Sequence, residues 1–382
     1  MNGELLLCRE ALKGDFTGSA VSPCGTVPAA HGQPHPALNE IKSVAVFRAL
    51  QLGDLLCLVP ALRALRAALP QAHITLIGLP WASDFVRRFS GYLDDFVEFP
   101  GHPALPEREV KEQAVDVFFE SMRMRHFDLA LQMHGSGPVV NEILATCGPG
   151  HLAAFSLSPA DRLGGGTFIP WPTEGHEVHR FLQLTRSLGI PDQGDHLEFP
   201  FFDEDHAEFA RVATLLPSDR PYVCVHAGAR MRTRRWLPER FAEVADGLAK
   251  RGYHIVLTGS RDELELVHRV EEAMTMPAIN MADRTSMGGL ATVLSHAALL
   301  VCNDTGVSHV ATGVGVPSVV LTMGSDPLRW APLDNELHPA IVHEVSCRPC
   351  YLDVCPVGHL CATKITAEEV LAKATALLEG RS

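Results

Sequence analysis

The chain has 382 residues, 46% of them hydrophobic and 20% charged, which is enough apolar material for two globular domains, and its formal net charge of −13 argues against a nucleic-acid-binding surface. No apolar run approaches the length of a membrane span, and the acidic segment after Met1 lacks the basic and long apolar regions of a secretory signal. Ten cysteines without such a signal predict reduced thiols in a cytoplasmic protein.

The first 40 residues contain many glycines, prolines and turn pairs and show no sustained period, so we predict a poorly ordered extension there. Order begins with a strand at 43–47, a turn that contains Asp54, an amphipathic helix at 55–69 and a second strand at 74–78. This pattern predicts a βαβ unit with its glycine turn at the carboxyl end of the first strand. The unit has no GxGxxG, so a dinucleotide fingerprint is not supported.

The alternation of strand and helix continues through the first half and is repeated in the second. In the first half we predict helices at 82–89, 110–123, 140–146 and 179–188 and strands at 96–99 and 127–131. In the second half we predict strands at 222–226, 255–258, 279–281, 299–302 and 318–322, and helices at 239–251, 263–274, 287–295, 307–314 and 366–378. The prediction is therefore an α/β fold with Rossmann-like domains at 41–200 and 201–382 that face a central cleft.

The segment at 189–205 between the halves is predicted to be a linker, because proline, glycine and a run of acids interrupt the pattern. Its last three residues, Asp203-Glu204-Asp205, have the form of a metal-binding DxD string. They directly precede the helical stretch 206–215, where carboxylates complement the helix dipole. We therefore predict a helix cap and no metal site here.

The stretch Asp304-Thr305-Gly306-x-x-His309 follows a buried strand and opens a short helix. Loops at the carboxyl ends of strands are where open α/β sheets bind ligands, and the free N–H groups of a helix start suit a phosphate. Asp304 and Thr305 have side chains that could hold sugar hydroxyls, and His309 lies about one turn into the helix. The alternative is an ordinary N-cap followed by a core helix.

Four arginines occur within six residues of the loop after strand 222–226. A solvated basic face is one explanation. We favour contact of Arg234 or Arg235 with a diphosphate, because arginine binds phosphate oxygens in a bidentate manner and the preceding Gly228-Ala229 pair allows close backbone approach.

Asp54 is the carboxylate placed at the carboxyl end of the first strand, where it would face the cleft. It could serve as an N-cap. It could also act as a general base that takes the proton of an attacking hydroxyl.

A cluster of four cysteines with one histidine inside it lies near the end of the chain: Cys347, Cys350, Cys355, His359 and Cys361. One CxxC pair is present where structural zinc sites usually have two, so the likeness to a zinc site is loose. Reduced, partly buried thiols that stiffen a loop are the alternative, and we favour it.

Five short motifs occur in a fixed order: Leu52-Gly53-Asp54 with Pro60-Ala-Leu-Arg63, Arg234-Arg235-Trp236-x-Pro238, Asp304-Thr305-Gly306-x-x-His309, Gly315-Val-Pro317, and Ser325-Asp326-Pro327 with Trp330-Ala-Pro332. This series resembles glycosyltransferase family 9, the ADP-heptose:lipopolysaccharide heptosyltransferases. The resemblance extends over about residues 41–380.

The resemblance implies a GT-B architecture, with the acceptor on domain 41–200 and the nucleotide sugar on domain 201–382. It implies an inverting transfer without an essential metal or other cofactor. The expected partners are an ADP-heptose donor and a lipid-linked saccharide acceptor, such as the lipopolysaccharide core, at the inner membrane surface. The expected location is the cytoplasm, including the inner face of the cytoplasmic membrane.

The resemblance also implies roles for single residues. Asp54 matches the family's catalytic carboxylate. The matching donor-site residues are Gly228, Ala229 and Arg234 for the phosphates, Glu263 for the ribose, Thr285 for the adenosine, and Asp304, Thr305, Gly306 and His309 for the sugar and phosphates. The family's usual Gly-Pro is here Met323-Gly324-Ser325, and arginine replaces the common lysine at Arg234, which leaves the donor sugar open.

Two other functions remain open from the sequence. One is an epimerase or hydrolase of nucleotide sugars on the same scaffold, and the other is a non-catalytic module that binds them.

Overall fold

The structure is a computed structural model that describes residues 37–163 and 165–380. Residues 1–36, which make up most of the predicted N-terminal extension, lie outside the described part. Of the remainder of that segment, Leu38–Glu40 form a short 3₁₀ turn. Within the described part, no helix has both the length and the apolar character needed to cross a bilayer.

The first half of the chain forms one parallel six-stranded sheet in the order β3-β2-β1-β4-β5-β6. Its elements are β1 Ser43–Phe47, α1 Leu52–Leu56, α2 Val59–Ala68, β2 His73–Gly78, α3 Ala82–Arg88, β3 Asp95–Glu98, α4 Glu112–Met124, β4 Leu129–Gln132, α5 Pro138–Thr146, β5 His151–Ser156, β6 Gly166–Pro170 and α6 Glu177–Arg186. The central strands are buried on both faces, as expected of a parallel sheet covered by helices.

The second half forms another parallel six-stranded sheet, ordered β12-β11-β10-β7-β8-β9, with the same winding. Its elements are α7 Asp203–Val212, β7 Tyr222–His226, α8 Pro238–Ala249, β8 His254–Thr258, α9 Leu264–Ala273, β9 Ile279–Asn280, α10 Met287–Ser295, β10 Leu299–Asn303, α11 Gly306–Val314, β11 Ser318–Leu321, α12 Pro327–Trp330, β12 Ala340–Ile341, α13 Leu360–Thr363 and α14 Ala367–Glu379. Two Rossmann-like sheets confirm the predicted α/β class.

The strand orders locate the ligand-binding edge of each sheet. In a doubly wound sheet the order of successive strands reverses between two neighbouring parallel strands, and the loops that follow these two strands leave a crevice. These neighbours are β1 and β4 in the first sheet and β7 and β10 in the second. Asp54 follows β1, and Asp304 follows β10, so both lie at such a crevice.

One prediction about local structure was wrong, and three strands, β5, β6 and β12, were not predicted. The helix predicted at 55–69 is two helices, because Pro60 lies in the first turn of α2, where proline favours a new start. Strand β6 contains Gly166 and Pro170, residue types that are depleted in strands.

The DxD string forms the first turn of α7, in agreement with the predicted cap. Asp205 Oδ2 accepts from the Phe202 backbone N–H at 2.9 Å and pairs with Arg88 Nη1 at 2.6 Å. Glu204 pairs with Arg87. The Asp205 carboxylate thus caps the start of α7, and both carboxylates form ion pairs with arginines of α3 in the first half.

A single apolar cluster contains residues from both halves, among them Leu65 of α2 and Val310 of α11. Helices α1 and α11 pack directly against each other. The two sheets therefore share buried apolar surface next to the crevices.

Candidate active site

The crevices of the two sheets meet at Gly53, in the first turn of α1. A Cβ atom added there would lie 2.7 Å from His309 Cδ2 and 3.3 Å from Gly306 Cα. Real Cβ atoms essentially never come as close as 2.7 Å, so only glycine allows the two halves to approach this far. The adjacent Asp54 is thereby held close to the loop of the second half.

Asp54 is the third residue of α1 and has its side chain 22% exposed. Its Oδ2 accepts from the Gln51 backbone N–H at 3.2 Å, so the capping role is real. Its Oδ1 faces Arg48 Nη2 at 3.4 Å, and its carbonyl accepts from Arg48 Nε at 2.8 Å. The carboxylate is oriented by these contacts and still reaches the crevice.

In the loop after β10, neither polar side chain caps the helix that follows. Asp304 is buried and accepts a hydrogen bond from the Ser325 hydroxyl. Thr305 occupies the N-cap position of α11, but its side chain accepts no hydrogen bond from the helix. The alternative that the side chains of these residues serve only as a helix cap is therefore not supported.

His309 of α11 lies against Gly53, next to Asp54. Its ring is buried, and Nδ1 is 3.9 Å from the Cys57 thiol. Burial lowers the pKa of His309, while the nearby Asp304 and Asp54 oppose that shift. The imidazole thus contacts α1 of the first half and is within electrostatic range of one carboxylate from each half.

Gly228 and Ala229 form the backbone of the loop after β7. A Cβ atom on Gly228 would lie 2.0 Å from Glu263 Oε1, so glycine is needed for the close approach of this loop to the Glu263 carboxylate. The carbonyls of Ala227 and Gly228 both accept from Asn303 Nδ2, at 2.7 and 3.2 Å.

The structure separates the two arginines that the sequence left as alternatives. Arg235 Nε donates to the Ala229 carbonyl at 2.7 Å, so this side chain holds the loop together. Arg234 is half-buried, and within residues 37–163 and 165–380 its Nε has no hydrogen-bond partner. Of the two, Arg234 is the one whose Nε is buried without a partner in the described residues.

Glu263 lies at the carboxyl edge of β8. Its Oε2 accepts from the Ser260 N–H at 2.8 Å and is 3.7 Å from His226 Nε2. Burial would raise the pKa of Glu263, but His226 and the bonds from Ser260 outweigh it and lower that pKa. Thr285 lies further along the same sheet edge, in the turn between β9 and α10.

Asn303 was missed by the sequence analysis. Besides its bonds to the loop after β7, its Oδ1 accepts from the Trp236 backbone N–H at 3.0 Å. It thereby fixes both ends of the arginine-containing loop. Its role could have been suspected from the sequence, because Asn303 is the polar last residue of an otherwise apolar strand and a buried amide needs hydrogen-bond partners.

The cysteine cluster packs against the back of this loop. Cys347, Cys350, Cys355 and Cys361 line a small cavity together with Thr233 and Gly324. His359 Nε2 lies 3.0 Å from the Thr233 carbonyl. Among residues 37–163 and 165–380, no three His, Cys, Asp or Glu side chains are placed to hold a metal ion.

Two facing Rossmann-like domains with a shared crevice define the GT-B class of α/β proteins, as the resemblance implied. The sequence profile of glycosyltransferase family 9 (heptosyltransferase) matches residues 165–361, just over half of the chain. The chain belongs to this family.

Comparison with individual proteins agrees with this assignment. The chain is 27% identical over 221 residues to lipopolysaccharide heptosyltransferase 3 of Escherichia coli K12, a match covering 56% of this chain and 63% of that relative. A glycosyl transferase family 9 structure from Veillonella parvula superposes with a TM-score of 0.71 at 22% identity, covering 89% of this chain and 97% of that one. The structure of the E. coli ADP-heptose lps heptosyltransferase II gives 0.68 at 21% identity, covering 89% and 99%.

We predict that Asp304→Ala weakens nucleotide-sugar binding or turnover, because the carboxylate lies in the crevice. It also leaves the buried Ser325 hydroxyl without its acceptor, which should cost about 1–3 kcal/mol of stability. Isothermal titration with the nucleotide sugar and thermal unfolding of the same preparation measure the two effects.

The matched control is Thr366→Ala. Thr366 Oγ1 accepts from the Glu369 N–H at 3.2 Å at the start of α14, away from the crevice. Loss of that cap should cost about 1 kcal/mol of stability with ligand binding unchanged. If Asp304→Ala behaved like Thr366→Ala, the assignment of Asp304 to the ligand site would be wrong.

We also predict that the purified protein carries no stoichiometric metal on its cysteine cluster. Burial raises the pKa of the Cys361 thiol, although Arg348 opposes it, and a protonated thiol is a poor ligand. Elemental analysis after purification without metal-affinity resin tests this. About one metal per chain, with stability lost in a strong chelator, would identify a structural metal site instead.

Proposed function

We propose that this protein transfers a heptose, or a related sugar, from an ADP-sugar to a saccharide acceptor carried on a lipid, with inversion at the anomeric carbon. The observation that carries the proposal is the meeting of Asp54 from the first half with the Asp304 loop of the second half around His309. One half offers a carboxylate to the acceptor, and the other offers a binding loop to the donor.

The proposed donor site occupies the second half, residues 201–382. Arg234 and the N–H groups at the start of α11 would bind the diphosphate, next to the Gly228-Ala229 backbone. Glu263 would accept hydrogen bonds from the ribose hydroxyls, and Thr285 would contact the adenosine. The name of the E. coli structural neighbour, an ADP-heptose heptosyltransferase, supports ADP as the nucleotide.

The proposed acceptor site occupies the first half, residues 41–200, in the crevice beside Asp54. Relatives of this family act on lipopolysaccharide, as their names state. We therefore propose a lipid-linked saccharide such as the lipopolysaccharide core, reached at the inner face of the cytoplasmic membrane.

In the proposed reaction the acceptor hydroxyl gives its proton to Asp54, and its oxygen attacks the anomeric carbon. The bond from that carbon to the phosphate oxygen breaks as the new bond forms, and its electron pair leaves with ADP. A single displacement inverts the anomeric configuration. We propose that Arg234 and the start of α11 stabilise the leaving diphosphate, so no metal is required.

The direct test is a thermal-shift screen with ADP-, GDP-, UDP- and dTDP-sugars, followed by product analysis with a core saccharide acceptor. A ligand that binds the native state raises the unfolding temperature as its concentration exceeds Kd. Stabilisation by ADP-sugars and acceptor-dependent release of ADP support a transferase. An altered sugar or free sugar without acceptor would indicate an epimerase or hydrolase, and binding without turnover a non-catalytic module.

We predict that Arg234→Ala weakens ADP binding by roughly ten- to a hundredfold, equivalent to about 1.5–3 kcal/mol for a lost charge-assisted hydrogen bond. The control is Arg232→Ala, since the Arg232 side chain is 73% exposed and pairs only loosely with Asp353 at 3.8 Å. Equal ADP affinity in the wild type and both variants would assign this loop to a solvated basic face.

We further predict that Asp54→Asn lowers the transfer rate by about a hundredfold or more, the usual share of general-base catalysis. Asparagine keeps the side-chain size and can still accept from the Gln51 N–H, so α1 should persist. ADP binding should be unchanged, because the donor lies on the other half. Transfer at the wild-type rate would rule out Asp54 as the base.

A further inference from the structure

A fully buried carboxylate joins the two halves of the molecule beside the active site. Glu177, the first residue of α6, has no exposed side-chain surface. Three arginines surround it: Arg48 after β1, Arg180 of α6, and Arg329 of α12. The first two belong to the first half, and Arg329 belongs to the second.

The contact from the second half is the more complete one. Arg329 binds Glu177 in a bidentate manner, Nε to Oε2 at 2.7 Å and Nη2 to Oε1 at 3.1 Å. Its guanidinium also lies over Trp171 of the first half and Trp330 of the second. His176 adds a second link, because its Nε2 is 2.9 Å from the Ala331 carbonyl.

The charges around Glu177 keep it ionised in spite of its burial. Burial would raise the pKa of Glu177, but Arg48 and Arg329 outweigh this effect and lower it to about 2. A buried carboxylate that loses one of its cationic partners is destabilised, so the contact with Arg329 favours the joined arrangement of the halves.

Arg48 connects this contact to Asp54. The same Nη2 atom of Arg48 lies 3.1 Å from Glu177 Oε1 and 3.4 Å from Asp54 Oδ1. Its Nε and Nη1 donate to the Asp54 and Met133 carbonyls, and its guanidinium lies over the Phe181 ring, which fixes the side chain. One donor atom is thus shared between the two carboxylates.

We propose that Arg329 and Glu177 form a latch between the halves which, through Arg48, positions the Asp54 carboxylate for catalysis. This inference rests on the proposed function insofar as it assigns Asp54 the role of base. With Arg329 in place, Glu177 Oε1 is shared between two guanidinium groups, and Arg48 Nη2 also reaches Asp54. Without Arg329, Arg48 is drawn towards Glu177, and Asp54 loses its second anchor. Arg48, Glu177 and Arg329 are therefore positioning residues.

The kinetic test uses Arg329→Gln, since Arg329 is the most exposed member of the latch. Transfer kcat should fall on the order of ten- to a hundredfold, as expected for a misplaced catalytic group, with ADP affinity and acceptor KM unchanged. Arg329→Lys should restore part of the loss, because it keeps the charge and lacks the two-pronged geometry. The control is Arg269→Gln, which removes an exposed pair with Glu239 inside the second half.

A second kinetic comparison asks whether the latch acts through Asp54. In an Asp54→Asn background, Arg329→Gln should cause no further loss of the residual single-turnover rate. The same fold loss in both backgrounds would show that Arg329 acts independently of Asp54. A rise in acceptor KM with kcat unchanged would make Arg329 a substrate contact. Either result overturns the proposal.

Small-angle X-ray scattering tests the latch without reference to catalysis. Arg329→Gln should have a larger radius of gyration than the wild type, and Arg269→Gln should not. If the wild type transferred no sugar, the proposed function would be wrong. The comparison of radii of gyration would still show whether Arg329 holds the two halves together. An unchanged radius of gyration for Arg329→Gln would overturn the latch.

Discussion

The site depends on one contact between α1 and α11, at which α1 has no side chain of its own. At Gly53 the backbone of α1 lies against Gly306 and His309 of α11. Any larger residue would push the crevice edges apart and increase the distance between the Asp54 carboxylate and the donor loop. In the proposed reaction an attacking hydroxyl must reach the anomeric carbon at close range, so this contact would decide whether the two halves can act together.

Charge is distributed around this contact in a way that suits an anionic donor. In the proposed function the first half supplies Asp54, and the second half supplies Arg234 and the start of α11 to stabilise a diphosphate. Carboxylates near the crevice have hydrogen-bond partners within the protein: the buried Glu177 binds arginines, the buried Asp304 accepts from Ser325, and the half-buried Glu263 accepts from Ser260. Such groups are held in place before a ligand arrives, which limits the reorganisation required on binding.

The elements that could be predicted from the sequence are those specified by residues that are neighbours along the chain. Strands such as β1, β7 and β10 were predicted because their apolar runs end in turn residues. Asp304 was noticed because it directly follows β10, and Asp54 because it lies in the turn after β1. The paired architecture followed from the repeated βα pattern. Short or glycine- and proline-containing elements, β6 for example, escaped because they bury few apolar side chains and their stability comes from neighbouring strands.

The residues that sequence analysis missed act through partners far along the chain. Arg48 and Glu177 are 129 positions apart, and Glu177 and Arg329 are 152 apart, so no local pattern indicates that they meet. In the sequence, each of these three residues looks like an ordinary charged residue at the end of a strand or the start of a helix. In the folded chain these side chains are largely buried, and a buried charge without a partner is unfavourable. Each of them must therefore pair with a charged group from another element. Candidate site residues at the crevice can therefore be predicted from the loop sequences. The residues that hold those loops in place can be identified only in the folded structure.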